Sequence, residues 1–352
     1  MSHADSTNPN APVSMVNEWD KTFVESNKVE HRKVTFPTRY GITLVGDLYI
    51  PKDRGDRKLA AIAVSGPFGA VKEQSSGLYA QTLAEDGFVT LAFDPSYTGE
   101  SGGSPRNVAS PDINTEDFSA AVDFLGLQKE VDRNRIGLLG ICGWGGMALN
   151  AAAMDTRVKA VATSVMYDMG RAMGHGVGDG KDRYSTADRR AVLHYLNEQR
   201  WKDAESGKTA YAGHDIYVDE SRKVTTSERI LPETLPANPN PVLKEFFDYY
   251  RMPRGFHPRS VNSAGAWTAT TPLSFMNMPL LSYANEITIP TLIVTGEKAH
   301  SRYFAEDAFK AVGSKDKELV IVPGANHVDL YDNVAGKIPF ARFETFFKTR
   351  LH

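Results

Sequence analysis

Hydrophobic positions along this chain follow two patterns. In VEHRKVTFPT (29–38) and GITLVGDLYIP (41–51) apolar and polar residues alternate, with Arg39-Tyr40-Gly41 at the junction. Alternation with a period of two belongs to half-buried strands, so the pair predicts an antiparallel hairpin. Further on, the alternation gives way to continuous apolar runs: LAAIAVSG (59–66), FVTLAF (88–93), RIGLLGI (135–141), VKAVATSV (158–165), IPTLIVTG (289–296) and KELVIVPG (317–324). Such runs suit strands buried on both faces. Helical spacing separates them. GLYAQTLAEDG (77–87) ends on a Gly stop, and a helix is predicted to start near Asn114 and Thr115 with Glu116 and Asp117 in its first turn. GGMALNAAAM (145–154), a stretch from Arg302, and a terminal stretch ending near Arg350 complete the set. This alternation predicts an α/β fold: a mostly parallel sheet wound by right-handed crossovers, with the antiparallel hairpin at its N-terminal edge.

The alternation stops near residue 167 and resumes near 286. The intervening stretch, about 120 residues, is too long for a plain loop. It holds two helical segments, 186–205 and 240–251, and is rich in Tyr, Phe, Trp, Met and His. It reads as a helical cap inserted between the sixth and seventh strands, since ligands collect at the carboxyl ends of sheet strands. The expected division is therefore an extension over 1–28, a core over 29–166 and 286–352, and a cap over 167–285. The extension lacks periodicity and reads as loose.

Composition narrows the function. The 352 residues carry 40 Lys plus Arg against 43 Asp plus Glu, a net charge of −3. That balance makes no basic surface, so nucleic acid is not an expected partner. No apolar run approaches the roughly 20 residues needed to cross a bilayer. The polar start, MSHADSTNPNAPVSMV, carries no apolar signal region, so a cytoplasmic location is expected. A single cysteine, Cys142, excludes an intramolecular disulfide and a Cys-rich zinc site, and suits a reducing compartment.

That cysteine lies in Gly140-Ile141-Cys142-Gly143-Trp144-Gly145-Gly146, between a predicted buried strand and a helix. A strand that turns at once into a helix exposes its apex side chain and needs small neighbours. A thiol at a helix N-terminus is expected to ionise readily, and the thiolate is the nucleophile. A free cysteine is commonly a structural core residue, but the surrounding glycines argue against that here. Counting from the strand places Cys142 at the apex. Counting from Gly145-Gly146 places Trp144 there and leaves no nucleophile. The first register is preferred because His327 then has a partner. His327, in Pro323-Gly-Ala-Asn-His-Val-Asp329, follows the last predicted strand at the same sheet edge and is suited to take the thiol proton. After the first buried strand, Gly66-Pro67-Phe68-Gly69 offers the Phe68 N–H, which with the Gly143 N–H would face a developing oxyanion.

Taken together, these segments resemble the α/β-hydrolase superfamily, and within it the dienelactone-hydrolase-like branch. Asp94-Pro95 through Gly99-Glu100-Ser101-Gly102 matches a loop common in that superfamily. Lys298-Ala-His-Ser-Arg-Tyr303 and Asp248-Tyr249-Tyr250 are similar to a capped subgroup that includes bacterial hydrolases of unassigned substrate and fungal polyketide acyl-transfer proteins. The resemblance implies Cys142 as nucleophile, His327 as base, a carboxylate as third member, and Phe68 with Gly143 as oxyanion hole. The usual Asp position, three residues beyond Gly296, holds Ala299. Glu297 is adjacent and is taken as the acid, with Asp168 after the sixth strand as the alternative. Glu306 and Asp307 fall on the next helix.

The expected function is a cofactor-free hydrolase that forms an acyl-enzyme on ester, thioester or lactone carbonyls. One alternative passes the acyl group to an alcohol or amine. The other is a non-catalytic binding or scaffold protein with Trp144 in the pocket. No phosphate loop, Rossmann fingerprint or metal-ligand spacing is present, so neither cofactor nor metal is expected. His175, His194, His214 and His257 are not spaced as a zinc set. Glu73 reads as an exposed helix-start acid with substrate contact as the rival role. Tyr249, Tyr250, Phe256, Trp267 and Phe275 line an apolar pocket or pack the cap's own core. The expected partner is a small molecule with apolar parts; a homodimer is allowed, and a membrane is not expected.

Overall fold

A computed structural model describes residues 8–352. Among these residues the sheet has eight strands: β1 (Val29–Pro37), β2 (Thr43–Pro51), β3 (Leu59–Ser65), β4 (Val89–Phe93), β5 (Val131–Ile141), β6 (Val158–Ser164), β7 (Thr291–Gly296) and β8 (Lys317–Val322). Their spatial order is β1-β2-β4-β3-β5-β6-β7-β8. β2 pairs antiparallel with β1 and β4, and all remaining neighbours are parallel. This is the predicted α/β architecture, and its central strands are buried on both faces as their apolar runs require.

Helices cover each face. α1 (Ser75–Glu85) and α8 (Phe340–Arg350) lie on one side, where Tyr79 meets Phe343 at 5.6 Å between ring centres. α2 (Pro111–Gly126), α3 (Gly143–Met154) and α7 (Arg302–Ala311) lie on the other, where Phe118 meets Trp144 at 5.8 Å. The period-two direction of strand side chains sorts β3 between the two: Ala61 and Ala63 join the α2–α3 core, and Ile62 and Val64 join the α1–α8 core. Each large apolar side chain so buried contributes roughly 1.5–3 kcal/mol.

Two sequence expectations change. Helix α2 begins at Pro111 rather than near Asn114, with Ser110 as its N-cap residue. Proline suits that first position because its φ is preset and the missing N–H would have no helical partner. Glu116 and Asp117 accordingly leave the first turn. Glu116 pairs with Arg39 at 2.8 Å, and Asp117 accepts from the Ser96 hydroxyl at 2.6 Å. The N-terminal stretch is also not loose where it is described. It lacks regular structure, but its backbone is tied to the core: Gly103 N–H donates to Pro9 C=O (2.9 Å), Val13 N–H to Glu100 C=O (2.8 Å), and Thr22 N–H to Glu73 C=O (2.9 Å). Residues 1–7 of the predicted extension lie outside the described residues.

The chain leaves the sheet after β6 and returns at the adjacent β7. Between them lie α4 (Met169–His175), α5 (Thr186–Ser206) and α6 (Pro241–Tyr250), with short two-stranded ribbons. A Ser185–Asp188 capping box starts α5, and Asn240 caps α6 through the Val242 N–H. Part of this segment folds back on the loop after β3. Asn262 Nδ2 donates to Phe68 C=O at 2.7 Å, Ser260 Oγ to Gly69 C=O at 2.9 Å, and Gln74 Nε2 to Gly255 C=O at 2.6 Å.

Beneath that junction is a buried ion cluster. Lys72 is fully buried, and its Nζ lies 2.6 Å from Glu73, 2.7 Å from Asp94 and 2.9 Å from Glu100. Burial alone would push the ammonium down, but Asp94, Glu73, Asp47 and Glu100 outweigh it and hold the group well above its ordinary value. Arg259 joins from the inserted segment, 2.9 Å from Glu73, and also holds Asp20 of the N-terminal stretch at 2.8 Å. Glu73 is thus neither an exposed helix-start acid nor a free side chain. Glu73, Asp94 and Glu100 converge closely enough to hold a cation, and the Lys72 ammonium takes that role. Replacing Lys72 by Met leaves three carboxylates around an apolar side chain. The expected loss is about 3–5 kcal/mol in urea unfolding followed by circular dichroism, because an uncompensated buried charge costs that much.

Candidate active site

Cys142 sits where β5 turns into α3, with φ +55° and ψ −126°. A non-glycine residue held there costs about 1–3 kcal/mol and persists only under constraint. The constraints are visible. Cys142 N–H donates to Ser164 C=O of β6 at 2.9 Å, and Cys142 C=O accepts from Tyr167 N–H at 2.8 Å. The turn is tight enough that a Cβ on Gly140 would lie 2.1 Å from the Trp144 carbonyl oxygen. Trp144 is the second residue of α3 and 2% exposed, its indole packed against Phe93 and Phe118. It therefore belongs to the core, and the register with Trp144 at the apex is not the one the chain adopts.

The loop after β3 meets this turn because β3 and β5 are neighbours, with Ser65 beside Gly140. Gly66 has φ +105°, and a side chain there would strike the Ile141 carbonyl oxygen at 2.1 Å. This close approach brings the Phe68 N–H to the sulfur of Cys142, and the Gly143 N–H points at the same atom. Both N–H groups therefore converge at the apex. Trp267 and Phe275 of the inserted segment pack on the Phe68 ring at 4.6 and 5.9 Å. Tyr249 and Tyr250 are buried against Tyr331, whereas Phe256 is 39% exposed.

His327 lies in the turn after β8 and is fully buried. Its Nδ1 is 2.6 Å from Ser301 Oγ, and its Nε2 is 2.8 Å from the Tyr331 hydroxyl. That hydroxyl also neighbours the Cys142 sulfur. The side chains thus lie in series, with Tyr331, His327 and Ser301 joined by hydrogen bonds and Cys142 next to the Tyr331 end. His300 lies beside it, 4.8 Å from the His327 ring and hydrogen-bonded through Nε2 to Tyr167.

The carboxylate expected at His327 is absent from this arrangement. Glu297 is exposed and accepts from the Gly324 N–H at 2.6 Å. The β7 strand ends with its next residue turned toward the β8 turn backbone, so the Glu297 side chain caps that turn instead of reaching the imidazole. Asp168 caps α4 by accepting from the Arg171 N–H at 3.0 Å. Glu306 pairs with Arg302, and Asp307 with Arg171. Ser301 takes the Nδ1 position. It lies within Lys298–Tyr303, where a serine gives no pattern that marks it. Tyr331 had a usable signal: it is four residues past His327, and helical backbone angles at both residues place i and i+4 on one face.

Electrostatics also reverse one expectation. Burial pushes the Cys142 thiol above its ordinary value, with Tyr331 and the Phe68 and Gly143 N–H groups pulling only partly back. Burial, with His300 adding to it, pushes His327 well below its ordinary value, and burial lowers His300 to about 4. The resting pair is thus a neutral thiol and a neutral imidazole. Alkylation of Cys142 by iodoacetamide should keep accelerating as pH rises past about 9, because the thiolate fraction grows only there. A plateau between pH 5 and 8, the sign of a thiolate–imidazolium pair, is the contrary result.

Comparisons with known proteins agree with this architecture. The sequence profile of the X-Pro dipeptidyl-peptidase (S15) family matches residues 40–329. The uncharacterized protein PA2218 of Pseudomonas aeruginosa is 60% identical over 345 residues, which are 97% of this chain and 86% of that one. Its crystal structure superposes with a TM-score of 0.88, covering 97% of this chain and all of the other. Thiohydrolase aneE of Aspergillus aculeatus is 34% identical over 137 residues, 39% of this chain and 42% of that protein. The α/β-hydrolase GrgF of Penicillium sp. sh18 shares the fold, with a TM-score of 0.70 at 21% identity over 92% of this chain and 99% of the other. Among the described residues no helix is long and apolar enough to cross a membrane.

Proposed function

Because the chain belongs to the X-Pro dipeptidyl-peptidase (S15) family, and thereby to the α/β-hydrolases, we propose that it forms an acyl-enzyme on Cys142 from ester, thioester or lactone substrates. The observation that carries this reading is the convergence of the Phe68 and Gly143 N–H groups on the Cys142 sulfur at a strained strand-to-helix apex. A carbonyl carbon attacked by that sulfur would place its oxygen near the same two donors, which is where negative charge develops. His327 takes the thiol proton during attack and returns it to the leaving group. Water activated by His327 then releases the acid. The fungal relative's name describes a thiohydrolase, which favours thioesters among the candidate substrates.

A second acceptor is favoured by burial. Cys142 is 6% exposed and His327 is fully buried, so bulk water reaches the acyl-enzyme poorly. An alcohol or amine bound in its place would take the acyl group, and adding short alcohols to the assay would show transfer products alongside the acid.

Hydrolysis of short p-nitrophenyl esters and acyl thioesters tests the proposal. Cys142→Ala, with folding checked by circular dichroism, should lose at least about a thousandfold in kcat/KM. Retained activity in that variant would sink the thiol reading. X-Pro p-nitroanilides should be poor substrates, because the His327 imidazolium that must protonate an amide leaving group has a hydroxyl, not a carboxylate, at Nδ1 to stabilise it. Removing the Ser301 hydroxyl should cost about 1 kcal/mol, or roughly fivefold in kcat/KM. Glu297→Gln should change it by less than about twofold, since an exposed turn cap is remote from the transfer. The reverse ranking would restore Glu297 as the third member.

A further inference from the structure

The geometry points to Tyr331 as a proton relay between Cys142 and His327, so that the base acts on the thiol through a phenol rather than by direct contact. This inference rests on the thiol-nucleophile reading above. The Tyr331 hydroxyl lies 2.8 Å from His327 Nε2, and the same hydroxyl is a close neighbour of the Cys142 sulfur, with which it shares the buried cluster. It thereby fills the one acceptor direction through which Nε2 would otherwise meet the thiol.

Several features hold the phenol in that position. Tyr331 is buried, and its ring is packed by His327 at 5.1 Å, Tyr249 at 5.3 Å and Tyr250 at 5.9 Å. Its N–H donates to Val328 C=O at 3.0 Å, which closes the helical turn carrying both His327 and Tyr331. At the other end of the imidazole, Ser301 Oγ sits 2.6 Å from Nδ1. When Nδ1–H donates to that oxygen, Nε2 carries a free lone pair aimed at the Tyr331 O–H. The resulting direction is single: S–H to phenol oxygen, phenol O–H to Nε2, Nδ1–H to Ser301.

The transfer balances. The S–H bond breaks as a new O–H bond forms on Tyr331, while the original phenol O–H breaks and an N–H bond forms at Nε2. The sulfur electron pair attacks the substrate carbonyl carbon, and the carbonyl π pair moves to oxygen beside the Phe68 and Gly143 N–H groups. When the tetrahedral adduct collapses, the proton returns by the same path: the Nε2–H bond breaks as an O–H bond forms on Tyr331, while the phenol's other O–H bond breaks and that proton goes to the leaving group. Tyr331 ends as it began, a neutral phenol. Burial, with Cys142 and Tyr250 nearby, holds the phenol well above its ordinary value, so it passes a proton without resting as phenolate.

Tyr331→Phe keeps the ring and deletes only the hydroxyl. In single-turnover acylation of the full chain by p-nitrophenyl acetate at pH 7, this variant should be slower by about a hundredfold, the lower end of general acid–base contributions. The defect should shrink as pH rises and the thiolate forms unaided, a dependence that a packing role would not produce. In the His327→Gln background the same substitution should cost nothing further, since both residues serve one transfer. Acylation by Tyr331→Phe within twofold of wild type, or losses that multiply in the double variant, would overturn the relay. Nitrogen-15 NMR of the wild-type protein, with His327 assigned by difference from His327→Gln, gives a readout that needs no Tyr331 variant. The relay requires the Nδ1–H tautomer, and an Nε2–H tautomer refutes it. An inactive Cys142→Ala beside a normal Tyr331→Phe would fail the relay alone, whereas an active Cys142→Ala would fail the nucleophile.

Discussion

The Lys72 ammonium, enclosed by Glu73, Asp94 and Glu100, is the interaction on which the arrangement of the site depends. The four residues come from two loops at the carboxyl edge of the sheet. Lys72 and Glu73 follow the loop that carries Phe68, while Asp94 and Glu100 belong to the loop after β4. Arg259 extends the cluster into the inserted segment and reaches Asp20 in the N-terminal stretch. Taking charges out of water costs several kcal/mol each, and only close opposite charges repay that. The loops therefore lose most of their freedom together, and the backbone N–H of Phe68 is set relative to Cys142 from below.

The site itself is buried and neutral. Helix α3 offers its N–H groups to the sulfur, yet burial outweighs them and keeps the thiol protonated. The same burial keeps His327 unprotonated. A neutral pair needs no resident countercharge, which is consistent with a hydroxyl, Ser301, standing at Nδ1 where a carboxylate was expected. An ionised acid at that position would itself need desolvation inside a site that holds His327, His300, Tyr167, Tyr250 and Tyr331 in close contact. The reactive charge is then created only during transfer, in surroundings that already hold the donors for it.

The legible parts of the sequence were those with a local cause. Apolar runs and their spacing identified the sheet strands within about two residues at most ends, because burial on two faces demands uninterrupted apolar character. The antiparallel hairpin follows from period-two alternation, and in the structure Val29 pairs with Pro51 across it. At the start of α2 the acidic pair Glu116–Asp117 imitates a first turn, while Pro111 is the true signal. Glu73 imitates a solvated acid, since a charged residue beside a helix start ordinarily faces water, yet it is buried. Nothing within a few residues of it reveals Arg259, which arrives from far along the chain.

The sequence by itself determined the α/β layout, the glycines that permit a tight turn at Cys142, and the presence of a histidine at the same sheet edge. These rest on periodicity and on steric rules that act between near neighbours. Only the tertiary structure decided which residue faces each nitrogen of His327, why Glu297 caps a turn instead, and which way the thiol is shifted. Those outcomes depend on where side chains from separate loops point once the sheet has brought them together, and on how much water they exclude. Neither quantity is encoded in any short stretch of the chain.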